Sequence, residues 1–153
     1  MKQKVVLAFS GGLDTSFCVP YLKDEKGLEV HTVFVNTGGF SDEEAKHIEE
    51  RAFQLGATTH TCVNAVDDYY NKGIKYLIFG NVLKNNTYPL SVSSERFFQA
   101  LAVLDEVKKI GADFVAHGST GAGNDQVRFD LGFEVLAPQV QIIAPIRELA
   151  WSR

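Results

Sequence analysis

Two glycine-rich segments hold most of the residues whose types and spacing could do chemistry. The first is Ser10-Gly11-Gly12-Leu13-Asp14-Thr15-Ser16, directly after the apolar run Val5–Phe9. Adjacent glycines let a backbone turn sharply and bring bare amides close to a ligand. Ser10, Thr15 and Ser16 add hydroxyl donors, and a helix opening at Asp14-Thr15-Ser16 adds the partial positive charge of its N-terminus. Together these groups suit a phosphate or pyrophosphate. The segment has neither the Gly-Lys-Ser/Thr of a P-loop nor the G-x-G-x-x-G of a dinucleotide fold. An ordinary strand-to-helix turn capped by Asp14 would use the same residues, but the Asp-Thr-Ser continuation in a strand–helix setting favours the anion site.

The second segment is His117-Gly118-Ser119-Thr120-Gly121-Ala122-Gly123-Asn124-Asp125-Gln126-Val127-Arg128-Phe129-Asp130. Asn124 and Arg128, at i and i+4, share a helix face, and Asp125 lies between them in sequence. An amide, a carboxylate and a guanidinium within one turn suit an amino acid. The guanidinium clamps an α-carboxylate, and the carboxylate or amide takes an α-ammonium. A polar helix N-terminus capped by Asn124, with Asp125 favourable to the dipole and Arg128 solvated, accounts for the residues about as well.

These segments need elements to position them. Val5–Phe9 predicts a buried strand, and Asp14 to Lys26 a helix stopped by Gly27, with Phe17, Tyr21 and Leu22 on one face and Pro20 kinking it or marking a tightened first turn. Leu28–Val35 reads as a second strand, closed by Asn36-Thr37-Gly38-Gly39. Ser41 and Glu44 form a capping box for a helix running to Leu55 before Gly56, and Thr58–Val63 is a third strand. The stretch from Asp67 to Leu90 has aromatics but no clear period. Ser93 or Ser94 caps a helix from Glu95 to Ile110, Asp113–His117 is a fourth strand, and Gln141–Ala144 a fifth. Strand–helix alternation predicts right-handed crossovers, hence one α/β domain over residues 1–153. Its fold is a doubly wound parallel five-stranded sheet with helices on both faces. Both glycine-rich loops then emerge at the carboxyl edge of the sheet, where ligands bind in such folds.

The chain has 153 residues, a length suited to one domain. Its 45% hydrophobic and 22% charged residues argue against fibre, coiled coil and disorder. Fifteen Lys+Arg against nineteen Asp+Glu leave a net charge of −4, which removes the footprint of a dedicated nucleic-acid binder. No apolar run reaches the roughly 18 residues of a membrane span, and the N-terminal run is too short for a signal peptide. Cys18 and Cys62, both expected in the core, make neither a disulfide framework nor a metal site, so a cytoplasmic location is expected. His31, His47 and His60 show no metal-ligand spacing, so no fixed metal is expected. Glu43-Glu44 and Glu49-Glu50-Arg51 read as a solvated helix face, and His117 as a backbone-tethered residue beside the second loop.

S-G-G-L-D-T-S after V-V-L-A-F resembles the pyrophosphate loop of the N-type ATP pyrophosphatases, among them argininosuccinate synthase, GMP synthetase, NAD synthetase, asparagine synthetase and tRNA-thiolating enzymes. The second segment, with Ala144-Pro145-Ile146-Arg147-Glu148, resembles the signature of the argininosuccinate synthase family, and matches run from Val5 to Glu148. The resemblance implies an adenine nucleotide alpha hydrolase-like, Rossmann-like fold. It implies an ATP-dependent ligase of arginine biosynthesis that joins L-citrulline and L-aspartate through a citrullyl-AMP intermediate, releasing AMP and pyrophosphate. ATP, as its Mg²⁺ complex, would meet Ala8, Phe9, Ser10, Gly11, Gly12, Leu13, Asp14, Thr15, Ser16, Val35 and Gly118, with Asp14 helping to place the metal. Aspartate would meet Thr120, Asn124 and Asp125, and citrulline Tyr88, Ser93, Asn124 and Arg128.

This sequence departs from the family at Ala122, where lysine is common, and across Tyr88 to Arg96, which follows Y-x-x-G-T-S-x-A-R-P only loosely. Val92 replaces a threonine and no proline follows Arg96, which leaves room for a modified ureido substrate such as an acylated citrulline. The family's second domain and oligomer-forming C-terminal helix are expected outside this chain. The full-length protein is thus expected to be a homotetramer, and the chain a fragment that folds but synthesises little or nothing. Two other readings remain: another N-type pyrophosphatase, tRNA-modifying or amide-forming, and a non-catalytic nucleotide-binding module. The acidic balance and the lack of a cysteine placed for persulfide chemistry weigh against the tRNA enzyme, and the intact Ser10–Ser16 loop against the module.

Overall fold

A computed structural model of the chain describes residues 2–121 and 123–149. Its strands in chain order are β1 (Lys4–Ala8), β2 (Glu29–Asn36), β3 (Thr59–Asn64), β4 (Leu83–Lys84), β5 (Tyr88–Pro89), β6 (Phe114–His117) and β7 (Gln141–Ile143). Five of them form one parallel sheet in the order β3-β2-β1-β6-β7, while β4 and β5 make a small antiparallel hairpin. Parallel strands covered on both faces read as continuous apolar runs, as Val5-Val6-Leu7 does at the sheet centre, where all three side chains are fully buried.

The helices are α1 (Leu13–Pro20), α2 (Asp42–Gln54), α3 (Val66–Tyr69), α4 (Lys75–Phe79), α5 (Ser91–Ile110), α6 (Asn124–Leu136) and α7 (Pro145–Glu148). They cover the two faces with separate cores. Val5 and Leu7 point to one core with Cys18, Val19, Leu22, Ile48, Ala52 and Ile146, from α1 and the turn that follows it, α2 and α7. Val6 points to the other with Ala100, Val103, Leu104, Val107, Phe129 and Phe133, from α5 and α6. The chain leaves β1 toward β2 on one side, and β6 returns on the other. The switch point thus falls between the carboxyl ends of β1 and β6, where both glycine-rich loops begin.

Several boundaries differ from expectation. Pro20 ends α1 and does not mark a tightened first turn. The helix passes into a π-helical turn over Tyr21–Glu25, in which the Lys26 amide donates to Tyr21 O at 3.2 Å; proline has no N–H for the i→i−4 ladder, and the turn widens after it. α5 begins at Ser91 with Leu90 at its cap position and no side-chain cap, so Ser93 and Ser94 lie inside the first turn, where Ser94 Oγ donates to Ser91 O at 2.9 Å. Gly123, not Asn124, precedes α6 as its cap. The unpatterned stretch contains α3, a second π-helical turn (Tyr70–Ile74) and α4. Gly73 lets it lie on α5, because a Cβ there would stand 2.8 Å from the Phe98 ring.

Cys18 is buried as expected, and burial, with the charge of Asp14 adding to it, pushes its thiol up to about 12. Cys62 is exposed on the edge strand β3, not in the core. The Ser41–Glu44 capping box is present: Ser41 N–H donates to Glu44 Oε2 at 2.8 Å and Glu44 N–H to Ser41 Oγ at 3.3 Å. Ser41→Ala removes one half of it and is expected to lower stability by about 1 kcal/mol, read as a lower denaturation midpoint at unchanged slope.

Candidate functional site

Phe9 N–H donates to Val33 O at 2.8 Å and extends the ladder one step beyond β1, after which the chain turns at Ser10 and Gly11. Gly11 has φ +72°, and a Cβ on it would stand 3.1 Å from Ile48 Cγ1, so conformation and space both require glycine. Gly12 is extended (φ −73°). α1 then begins at Leu13 with no side-chain cap on its N-terminus, and Asp14 lies in its first turn. Thr15 Oγ1 accepts from Ser10 N–H at 3.3 Å and lies 3.2 Å from Ser10 Oγ, while the Ser16 amide donates to Gly12 O at 2.9 Å. A helix N-terminus without a side-chain cap, at the end of a strand, is a ready site for an anion.

The second loop leaves β6 at His117 and lies directly on the first. A Cβ added to Gly118 would stand 3.1 Å from Thr15 N and 3.3 Å from Asp14 C, so the two backbones touch. Beside this junction α5 and α6 contribute a charged cluster. Arg128 donates to Ser93 Oγ at 2.9 Å and to Asp125 Oδ1 at 3.0 Å. Arg96 Nε approaches Asp125 Oδ2 at 3.3 Å, which leaves one carboxylate between two guanidiniums. Glu95 Oε1 accepts from Thr37 Oγ1 at 2.6 Å, and its Oε2 pairs with Arg96 at 3.3 Å.

Loops and cluster enclose one open cavity of about 1420 Å³. A single small-molecule site is usually nearer 300–1,000 Å³, so there is room for a nucleotide and an amino acid together. Of the residues singled out in the sequence, Ala8, Phe9, Ser10, Gly12, Leu13, Asp14, Thr15, Val35 and Gly118 line it on the loop side. Tyr88, Ser93, Thr120, Asn124, Asp125 and Arg128 line it on the other. Gly11 and Ser16 are on the loop but behind the wall. Ser16 is buried, and its hydroxyl takes a hydrogen bond from Arg51 Nε at 3.0 Å. The helix face expected to be merely solvated therefore braces the phosphate loop through Arg51. Val92 is off the wall, whereas Glu95, where the family pattern has alanine, is in it. Ala122 lies outside the described residues.

Sequence reading missed Arg96, Glu95, Lys84 and Arg147 in this wall. The available signal was spacing: Arg96 is three residues after Ser93 and faces the same way once both are in α5.

At the base of the cavity wall, His117 is buried, and the Ser119 amide donates to its Nδ1 at 3.2 Å, a backbone tether as expected. Burial lowers the pKa of His117, with Arg147 acting in the same direction against the pull of Asp130. Burial also lowers those of His31 and His60. A base whose folded pKa is depressed leaves stability intact above its ordinary value. As pH falls below about 6.5, the unfolded chain binds protons that the folded one refuses, until the lowered pKa values are passed. The denaturation free energy is therefore expected to decline as pH drops from 6.5 toward 5, and a His60→Gln variant to decline less steeply.

Residues 4–153 match the family described as Arginosuccinate synthase N-terminal HUP domain. The argininosuccinate synthase of Xanthomonas axonopodis pv. citri is 48% identical over 145 residues, 95% of this chain and 34% of that protein. That of Saccharolobus solfataricus is 48% identical over 144 residues, 94% and 36%. The chain thus spans about a third of the length of these curated relatives. Among solved structures, a predicted tRNA methyltransferase subunit from Methanocaldococcus jannaschii aligns with a TM-score of 0.60 at 20% identity, over 95% of this chain and 68% of that one. The NH3-dependent NAD synthetase from Campylobacter jejuni aligns with a TM-score of 0.57 at 17% identity, over 78% and 48%. At these identities the two structures support the Rossmann-like fold alone.

Proposed function

This chain belongs to the argininosuccinate synthase N-terminal HUP-domain family, and from that premise we propose that its cavity takes ATP, L-citrulline and L-aspartate for the ATP-dependent synthesis of argininosuccinate. The observation that carries the reading is the junction itself: an anion-binding loop in backbone contact with Gly118, beside an Asp125 carboxylate held between Arg96 and Arg128.

In this reading the triphosphate lies along Ser10–Ser16, with the α1 amides and the Ser10 and Thr15 hydroxyls around the pyrophosphate, and Val35 and Gly118 beside the rest of the nucleotide. Asp14, in the cavity wall at the first turn of α1, fits as the carboxylate that holds the Mg²⁺ arriving with ATP, which supplies charge neutralisation at the phosphate oxygens. Arg128, with Ser93, Tyr88 and Asn124, clamps citrulline. Asp125, Asn124 and Thr120 take the aspartate. The citrulline ureido oxygen attacks the α-phosphorus, the bond to the β-phosphate oxygen breaks, and pyrophosphate leaves into the loop. The aspartate amine then attacks the ureido carbon of citrullyl-AMP and AMP departs. Positioning and charge stabilisation carry this chemistry. No nucleophile of the protein is needed, and the Cys18 thiol, protonated at neutral pH, supplies none.

The same membership underlies our reading of the full-length protein as a cytoplasmic homotetramer. No helix among the described residues is long and apolar enough to cross a membrane. Products decide the reaction class. The full-length protein given ATP, citrulline and aspartate is expected to release AMP and pyrophosphate in equal amounts, with acylated citrulline as a parallel arm to define the ureido substrate. Release of ADP and phosphate, or turnover indifferent to both amino acids, contradicts the proposal.

A further inference from the structure

One polar chain, which joins His117, Gln126 and Arg147 of the cavity wall through Asp130 behind it, has no place in the mechanism above. Because the Ser119 amide donates to His117 Nδ1, that nitrogen carries the lone pair and the ring is neutral, protonated on Nε2. Nε2 therefore donates to Asp130 Oδ1, 2.8 Å away, and the other carboxylate oxygen of Asp130 is held by Arg147 of α7. Arg147 also reaches Gln126 Oε1 at 3.3 Å, and Gln126 Nε2 donates to Gly121 O at 3.2 Å. The His117 ring stacks on Phe129 (5.7 Å between centroids, 17° between planes), which packs one of its faces. The loop between β6 and α6 is thus pinned at two backbone atoms, the Ser119 amide and the Gly121 carbonyl, by one network rooted in α6 and α7.

We propose that His117 is a positioning residue: held by Asp130, it fixes the Ser119 amide and so presses Gly118 onto Thr15, setting the nucleotide-binding geometry at the base of the cavity wall. The proposal deepens the ATP reading and rests on it. Asp130 is the place to probe it, because its side chain does not line the cavity and its influence on a ligand must pass through its partners.

The experiment compares the chain with Asp130→Ala, which deletes the acceptor for Nε2–H, and Asp130→Asn, which keeps one. It reads Mg·ATP affinity by calorimetry, hydrogen exchange of the Ser119 amide by NMR, and thermal unfolding alongside. Asp130→Ala is expected to weaken ATP binding about tenfold and to speed Ser119 exchange by a similar factor, with Asp130→Asn restoring both to within about threefold. A lower melting temperature with unchanged affinity and exchange overturns the proposal, since a merely structural role would give that pattern. If Asp130→Ala does not fold, the ring-nitrogen spectrum of the unmodified chain decides: a protonated Nε2 and bare Nδ1 support the relay, and the opposite tautomer overturns it. If the unmodified chain binds no ATP, the functional reading fails separately, and the Ser119 exchange rates still judge the tether.

Discussion

Gly118→Ala is expected to weaken Mg·ATP binding by about 10- to 100-fold while leaving the fold intact. Gly118 is buried where the two loops meet, and the added methyl would fall 3.0 Å from Thr15 Cγ2, 3.1 Å from Thr15 N and 3.3 Å from Asp14 C. The Thr15 side chain can turn aside, but the backbone atoms cannot, so relief requires the loops to part by a few tenths of an ångström. Overpacking of this kind costs about 1–3 kcal/mol, and each 1.4 kcal/mol is a factor of ten in affinity. The penalty falls on a contact that registers the phosphate loop against the Ser119–Thr120 segment. Gly39→Ala is the control: nothing lies within 4 Å of its Cβ position, and binding is expected to be unchanged. Calorimetric titration of both variants with Mg·ATP checks the contrast, and equal affinities would remove the loop junction from the account.

Arg128→Met is expected to separate the substrates. The guanidinium joins Ser93 of α5 to Asp125 of α6 and is the proposed clamp for the citrulline carboxylate. Removing one partner of a hydrogen-bonded charge pair costs about 2–5 kcal/mol, hence a loss of citrulline affinity of about 30-fold or more. The phosphate loop is built from other elements, so Mg·ATP affinity is expected to stay within about twofold. Arg128 is one-quarter exposed and its stem can lie where methionine lies, so stability should change little. Citrulline and Mg·ATP titrations on the full-length variant read the two separately. A parallel loss of both would mean that Arg128 holds the site together rather than recognising one ligand.

The parallel sheet was legible because its central strands are buried on both faces and therefore spell apolar, β-branched runs. The loops were legible because glycine and hydroxyl residues follow those runs directly. Helix α5 was read four residues short because Ser93 and Ser94 look like caps, and only tertiary structure shows Ser93 turned toward Arg128 instead. The 66–79 region gave no helical period because Tyr70, Tyr76, Ile78 and Phe79 stay exposed, so no apolar stripe marks a buried face. Arg51 bracing Ser16 and Asp130 bridging His117 to Arg147 join residues 13 to 35 apart, and such pairs have no local signature. The candidate site was thus readable as a set of segments. Its joints were not: the Gly118–Thr15 contact, the Arg96–Asp125–Arg128 sandwich and the buried histidine tether all come from packing between elements.

The central claim is that citrulline is activated by adenylation, with pyrophosphate leaving into the Ser10–Ser16 loop. Exchange of labelled pyrophosphate into ATP by the full-length protein tests it most directly. Exchange that requires citrulline, proceeds without aspartate and falls at least tenfold in Asp14→Asn is the expected result. Label that enters ATP regardless of citrulline, or never enters it while argininosuccinate is still being made, would contradict the account.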